Sequence, residues 1–179
     1  MSESLLPRPD AADLRPGTGN VRSGTGGVPT VFWEDLVPGR RFDLGVAEVD
    51  ADEMLAFARR FDPQWYHIDE KLAADSSYGR LIASGFFTVS LFMRAYVDGL
   101  LSQAAADASP GLEELRWLAP VWAGDRLAVE LEVVDRAPSR AKPDRGTVTL
   151  RGTMTRLGAA QRPVLRLQYR GWFHRRERG

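Results

Sequence analysis

The stretch Ser84-Gly85-Phe86-Phe87-Thr88-Val89-Ser90-Leu91-Phe92-Met93-Arg94-Ala95-Tyr96-Val97-Asp98-Gly99-Leu100 decides the fold. Its apolar residues fall on nearly every side of a 3.6-residue turn, the mark of a buried helix and not of an amphipathic surface helix. Its length suits a helix better than a strand. Ser84 in front is an N-cap residue type. Behind it, after Ala108-Ser109-Pro110-Gly111, the period changes to two. Leu115 and Trp117 alternate with polar neighbours. So do Leu127, Val129, Leu131 and Val133, then Val148, Leu150, Gly152 and Met154, then Leu165, Leu167, Tyr169, Gly171 and Phe173. Four alternating segments separated by turn residues predict an antiparallel sheet with one solvated face.

Upstream of the helix, Arg41 to Val49 reads as a strand. Asp50 follows as an N-cap with Glu53 three positions on, a capping-box pattern. Met54, Phe57, Ala58 and Phe61 then make one apolar helix face. Residues 62–80 are rich in turn formers and hold one short helical stretch, Glu70 to Ala74. A strand, helices, then consecutive strands is an α+β order: one buried helix wrapped by a curved antiparallel sheet. Residues 1–30 contain no aromatic residue and hold Pro7, Pro9, Pro16 and Pro29 among several glycines. They read as a disordered leader, and 31–179 as a single domain.

Composition removes whole classes of chemistry. The chain has 179 residues, 44% of them hydrophobic, with 24 Lys+Arg against 24 Asp+Glu. Zero net charge argues against a nucleic-acid binder that relies on bulk charge. The absence of cysteine excludes disulfides, thiolate metal sites and thiol nucleophiles. With only His67 and His174, no metal site is expected. No secretory signal and no apolar run of about 18 residues is present, so no membrane association is expected and the default is a cytoplasmic protein.

The residues left to carry chemistry gather in Phe61-Asp62-Pro63-Gln64-Trp65-Tyr66-His67-Ile68-Asp69. In a loop, a spacing of five lets Asp62 and His67 turn toward one point, and an Asp–His pair holding a water is a general acid/base device. The alternative is a packing histidine that bonds a backbone carbonyl. A second element is Ile82-Ala83-Ser84-Gly85-Phe86. The free N–H groups at a helix start can receive a developing oxyanion, and Gly85 permits close approach. Equally, Ser84 caps the helix and Gly85 allows tight packing. Ala119-Pro120-Val121-Trp122-Ala123-Gly124-Asp125 reads as a turn without chemistry of its own. Arg162, Arg166, Arg170, Arg175, Arg176 and Arg178 make the C-terminal end locally basic, either a solvated face or a surface for phosphates.

Asp62-x-x-x-x-His67-x-Asp69, then Ile82-Ala83-Ser84-Gly85, then Ala119-Pro120-Val121-x-x-Gly124-Asp125, taken in order, resembles the MaoC-like dehydratases, the (R)-specific enoyl-thioester hydratases of the hot-dog superfamily. The likeness covers roughly residues 32–173. It implies a single hot-dog fold, a long helix from Ser84 to about Leu101 inside an antiparallel sheet, and a homodimer. It implies hydration of a 2-enoyl thioester, or dehydration of a 3-hydroxyacyl thioester, of coenzyme A or acyl carrier protein, with no cofactor. Asp62 and His67 match the catalytic pair, and the N–H near Gly85 would polarise the thioester carbonyl.

Gln64, Trp65, Tyr66, Ser84 and Phe86 are the expected substrate contacts, with Phe87 a further candidate. The chain departs from the family's pattern in three places. Gln64 and Trp65 stand where Asn-Pro is common, Ser84 where His is common, and Met93 where the family carries a Ser further along the helix. Two other readings share the fold: an acyl-thioesterase, and a non-catalytic acyl-binding subunit paired with an active hot-dog chain.

Overall fold

The computed structural model describes residues 21–176. Residues 33–35 form one turn of 3-10 helix, followed by β1 (Arg41–Glu48), α1 (Ala51–Phe61), α2 (Trp65–Ile68), α3 (Glu70–Ala74) and α4 (Gly85–Tyr96). A π turn (Val97–Leu101) extends α4, and then come β2 (Gly111–Trp117), β3 (Arg126–Pro138), β4 (Arg145–Arg156) and β5 (Arg162–His174). The five strands form one antiparallel sheet in the order β1-β3-β4-β5-β2, with α4 against its inner face. The α+β architecture is the one expected.

Alternation builds the core. Leu127, Val129, Leu131 and Val133 of β3, Val148, Leu150 and Met154 of β4, and Leu165, Leu167 and Phe173 of β5 are buried side by side. They meet Phe87, Phe92 and Tyr96 of α4. Gly152, in the middle of β4, faces Phe92 so closely that a Cβ there would overlap the ring. A central strand thus gives up a side chain so that the helix can carry a large one.

Three expectations change. The helix is not buried all round, because five strands cover only one side of it; Phe86 and Met93 are 59% and 47% exposed. The segment after α1 is not a plain loop: α2 is a single helical turn within it. Among the described residues the basic C-terminal end is largely neutralised, because Arg166 pairs with Glu114, Arg170 with Glu113, Arg175 with Glu34 and Arg176 with Asp35; Arg178 lies outside the described residues.

Of the expected leader, residues 21–30 are tied down by backbone hydrogen bonds: Gly24 N–H donates to Leu101 and Thr30 N–H to Gln103. Positions 1–20 lie outside the described residues. No helix among the described residues is long and apolar enough to cross a membrane.

Candidate active site

The site forms where α1 ends, α2 turns and α4 begins. Asp50 caps α1 through bonds from the N–H groups of Asp52 and Glu53, and the helix runs to Phe61, leaving Asp62 as its C-cap. The turn of α2 then carries His67 inward, to 5% exposure. Ile82, on the segment leading into α4, clamps this turn from both sides. Its N–H donates to the Tyr66 carbonyl at 3.2 Å, and its own carbonyl accepts from His67 Nδ1 at 2.7 Å. Ala83 N–H donates to the Val121 carbonyl, so the Ala119–Asp125 turn anchors the entry to α4.

His67 thus makes the backbone bond of the packing reading and still faces Asp62. A carbonyl can only accept, so Nδ1 carries a proton and Nε2 is left as the free ring nitrogen. That Nε2 lies 3.3 Å from Asp62 Oδ2. The packing bond to the backbone is what turns Nε2 toward Asp62.

Asp62 is held from both sides. Gln64 Nε2 donates to Oδ1 at 2.7 Å, and Ser84 Oγ donates to Oδ2 at 2.7 Å. Tyr66 O–H in turn donates to Gln64 Oε1, completing the chain Tyr66–Gln64–Asp62–Ser84. Partial burial pushes the Asp62 carboxyl up, but the bonds from Gln64 and Ser84 and the facing His67 outweigh it and hold the group below the usual carboxylate range. Asp62 is thus kept ionised, with the Nε2 edge of His67 facing it.

A cavity of about 510 Å³ opens over the pair. Gln64, Gly85 and Phe86 line it as expected; Trp65, Tyr66 and Ser84 do not. Ser84 has no exposed surface. It accepts from Phe86 N–H at 3.3 Å while donating to Asp62, so it supports the acid and caps α4. Trp65 packs edge-on against Tyr66, and Tyr66 meets the site through its bond to Gln64 and through its ring, edge-on to His67 at 4.4 Å. Phe87 faces the core.

The Gly85 N–H finds no acceptor among the described residues, as the first turn of a helix leaves it. A Cβ on Gly85 would meet the Trp117 indole at 2.5 Å, so the glycine also admits that ring. Tyr78, Thr88, Trp117 and Leu118 line the cavity without having been expected there. Ala119, Pro120 and Val121 beside Leu118, read from the sequence only as a turn, line the same wall.

A family model described as "MaoC like domain" matches residues 36–154. The chain belongs to the MaoC-like family. Its fold is accordingly the hot dog, with α4 as the enclosed helix. Among solved structures, this MaoC-like chain is similar to a MaoC-like dehydratase from Rhodospirillum rubrum, with 38% identity, a TM-score of 0.74, and 82% of this chain and 99% of that one covered. It is also similar to an (R)-hydratase from A. caviae involved in PHA biosynthesis, at 25% identity and a TM-score of 0.57, covering 74% and 95%. Among curated proteins, YdeM of Bacillus subtilis (strain 168), an uncharacterized protein, is 27% identical over 107 residues, 60% of this chain and 76% of that one.

Proposed function

We propose that this protein is a hydratase/dehydratase that adds water to a 2-enoyl thioester of coenzyme A or acyl carrier protein, or removes it from the 3-hydroxyacyl thioester. The carrying observation is the Asp62 Oδ2–His67 Nε2 approach of 3.3 Å in a cavity that also holds the unpaired N–H of Gly85. Family membership and the names of the dehydratase and (R)-hydratase relatives support the same chemistry.

In the hydration direction, a water lodged between Asp62 Oδ2 and His67 Nε2 donates a hydrogen bond to one or both. As its oxygen bonds to the β-carbon, its proton passes into the pair. The electrons of the broken π bond move through the α-carbon to the thioester oxygen, where the Gly85 N–H and the positive end of α4 receive the charge. The enolate then takes a proton from the pair at the α-carbon, and the pair ends as it began. Dehydration is the reverse path. Gln64 and Ser84 keep the carboxylate aimed throughout.

A thioesterase would need the activated water at the carbonyl carbon, the very atom the Gly85 N–H polarises. Release of free thiol from saturated acyl-CoA would therefore count for it. The assay is hydration of enoyl-CoAs of graded length by wild type, Asp62→Asn and His67→Ala. Each substitution is expected to lower kcat/KM by roughly 10²–10⁴-fold. Full activity in either variant refutes its role, and an inert wild type refutes the function.

We further infer a homodimer. Strand β2 has a single neighbour, and Leu112 and Trp117 on it are half exposed beside Phe86 and Met93. Such an edge and apolar face invite a second copy.

A further inference from the structure

A second cavity, of about 700 Å³, lies between α4 and the β2–β5 side of the sheet. Its size is that of a small-molecule site. The wall is mainly apolar, with Val89, Phe92, Met93, Leu112, Leu167 and Trp172. It follows the catalytic cavity along α4: Gly85, Phe86 and Thr88 line the first, and Val89, Met93 and Tyr96 the second. From Gly85 to Tyr96 is about 16 Å along the helix axis, at 1.5 Å per residue. A chain attached at the thioester and running along α4 would cross it.

Ser90, Asp107 and Ser109 are polar groups of this wall, and two phenols join them. Tyr96 and Tyr169 are 5% and 6% exposed, and their rings meet edge-on at 5.4 Å. The Tyr169 hydroxyl is fully buried and makes no hydrogen bond of proper geometry. Nor does either phenol donate to any third group among the described residues. Even paired with each other, two hydroxyls facing one another share one hydrogen bond and leave one O–H without an acceptor. Burial pushes both phenols up, so both remain neutral donors. An unpaired buried donor is costly to fold around and calls for a partner. Among the described residues no Lys, Arg or His lines the cavity, and Asp107 at its wall is paired with Arg145. Nothing there would hold an anion, so the missing partner is a neutral oxygen.

We infer that this cavity receives the acyl chain and that the Tyr96–Tyr169 pair selects chains carrying a neutral hydroxyl or carbonyl oxygen remote from the thioester. The inference rests on the thioester reading above and adds the class of acyl group. It is tested by binding, with saturated acyl-CoAs that cannot turn over. Dodecanoyl-CoA and a series of hydroxydodecanoyl-CoAs, with the hydroxyl moved along the chain beyond the β-carbon, are titrated calorimetrically into wild type, Tyr169→Phe and the double variant Tyr96→Phe/Tyr169→Phe.

At least one positional isomer is expected to bind wild type about tenfold tighter than dodecanoyl-CoA. The double variant should lose that preference while binding dodecanoyl-CoA as wild type does. Equal affinities for all chains in wild type, or a preference that survives in the double variant, overturns the inference. Thermal melts supply a second check: Tyr169→Phe should melt no lower than wild type, and a marked drop would show the hydroxyl already satisfied, which also overturns it. Hydration activity is read separately. An inactive enzyme that keeps the binding preference counts against the hydratase reading alone, and failure to bind any acyl-CoA overturns both.

Discussion

Replacing Ser84 by alanine removes two bonds from one buried hydroxyl. Ser84 Oγ donates to Asp62 Oδ2 at 2.7 Å and accepts from Phe86 N–H at 3.3 Å, and the residue has no exposed surface through which water could substitute. Losing an N-cap costs about 1 kcal/mol. Losing a hydrogen bond to a charged group costs about 1.5–3 kcal/mol. A combined loss near 3 kcal/mol should lower the melting temperature by roughly 6–12 °C in a domain of this size. The carboxyl of Asp62 loses one of the donors that hold it below the usual carboxylate range, so its pKa rises. The acid limb of the kcat/KM–pH profile should move to higher pH, with kcat reduced at neutral pH.

Ser84→Gly separates the two bonds, because glycine is nearly as good an N-cap as serine. It should reproduce the shift of the acid limb with a smaller loss of melting temperature. Calorimetry and pH profiles on an enoyl-CoA measure both quantities. If Ser84→Ala leaves the acid limb where it was, the hydroxyl does not support Asp62 and the reasoning fails.

Gly152→Ala places a Cβ inside the Phe92 ring, which is 3% exposed and has no room to swing, so about 1–3 kcal/mol should be lost; an unchanged urea midpoint would show that the core yields. Acid should loosen the clamp between the 33–35 turn and the C-terminal end. Burial pushes the Glu34 and Asp35 carboxyls up, but hydrogen bonds from Phe32, Arg175 and Arg176 lower them net of it. With folded pKa values below the unfolded 4.5 and 3.8, their stabilisation is fully present above those values and disappears as pH falls through the folded ones. Urea unfolding at pH 7 and pH 3 checks this, and equal stability would contradict it. Sedimentation should give twice the 19.9 kDa chain mass, and Leu112→Lys should shift the equilibrium toward monomer; a wild type that is monomeric at every concentration would rule out the pairing across β2.

Much of the fold was legible because its signals are local. Alternation in β3, β4 and β5 needs only the pleat, and Asp50 needs only the free N–H groups of its own helix. Asp62 and His67 were legible for the same reason, being five residues apart on a segment too short to separate them. Ser84 was misread as a ligand contact because its partner lies 22 positions away, and no spacing rule reaches across two helices. Trp117 and Thr88 were missed for a related reason: a cavity wall is made by elements meeting, and neither residue carries a chemical signal of its own. The pairing of the basic end was not legible because its acids sit on other elements, Glu113 and Glu114 on β2 and Glu34 and Asp35 near residue 33.

By itself, then, the chain's sequence determined a helix packed on an antiparallel sheet, the lack of thiol chemistry, and a single histidine placed beside an acid. These follow from periodicity, composition and short spacing, which are properties of neighbouring residues. Tertiary structure alone decided which nitrogen of His67 is free, that Ser84 and Gln64 hold Asp62, and that two phenols face each other beside a second cavity. Each of those depends on groups far apart in the chain being brought within hydrogen-bond reach, and packing, not local propensity, sets such distances.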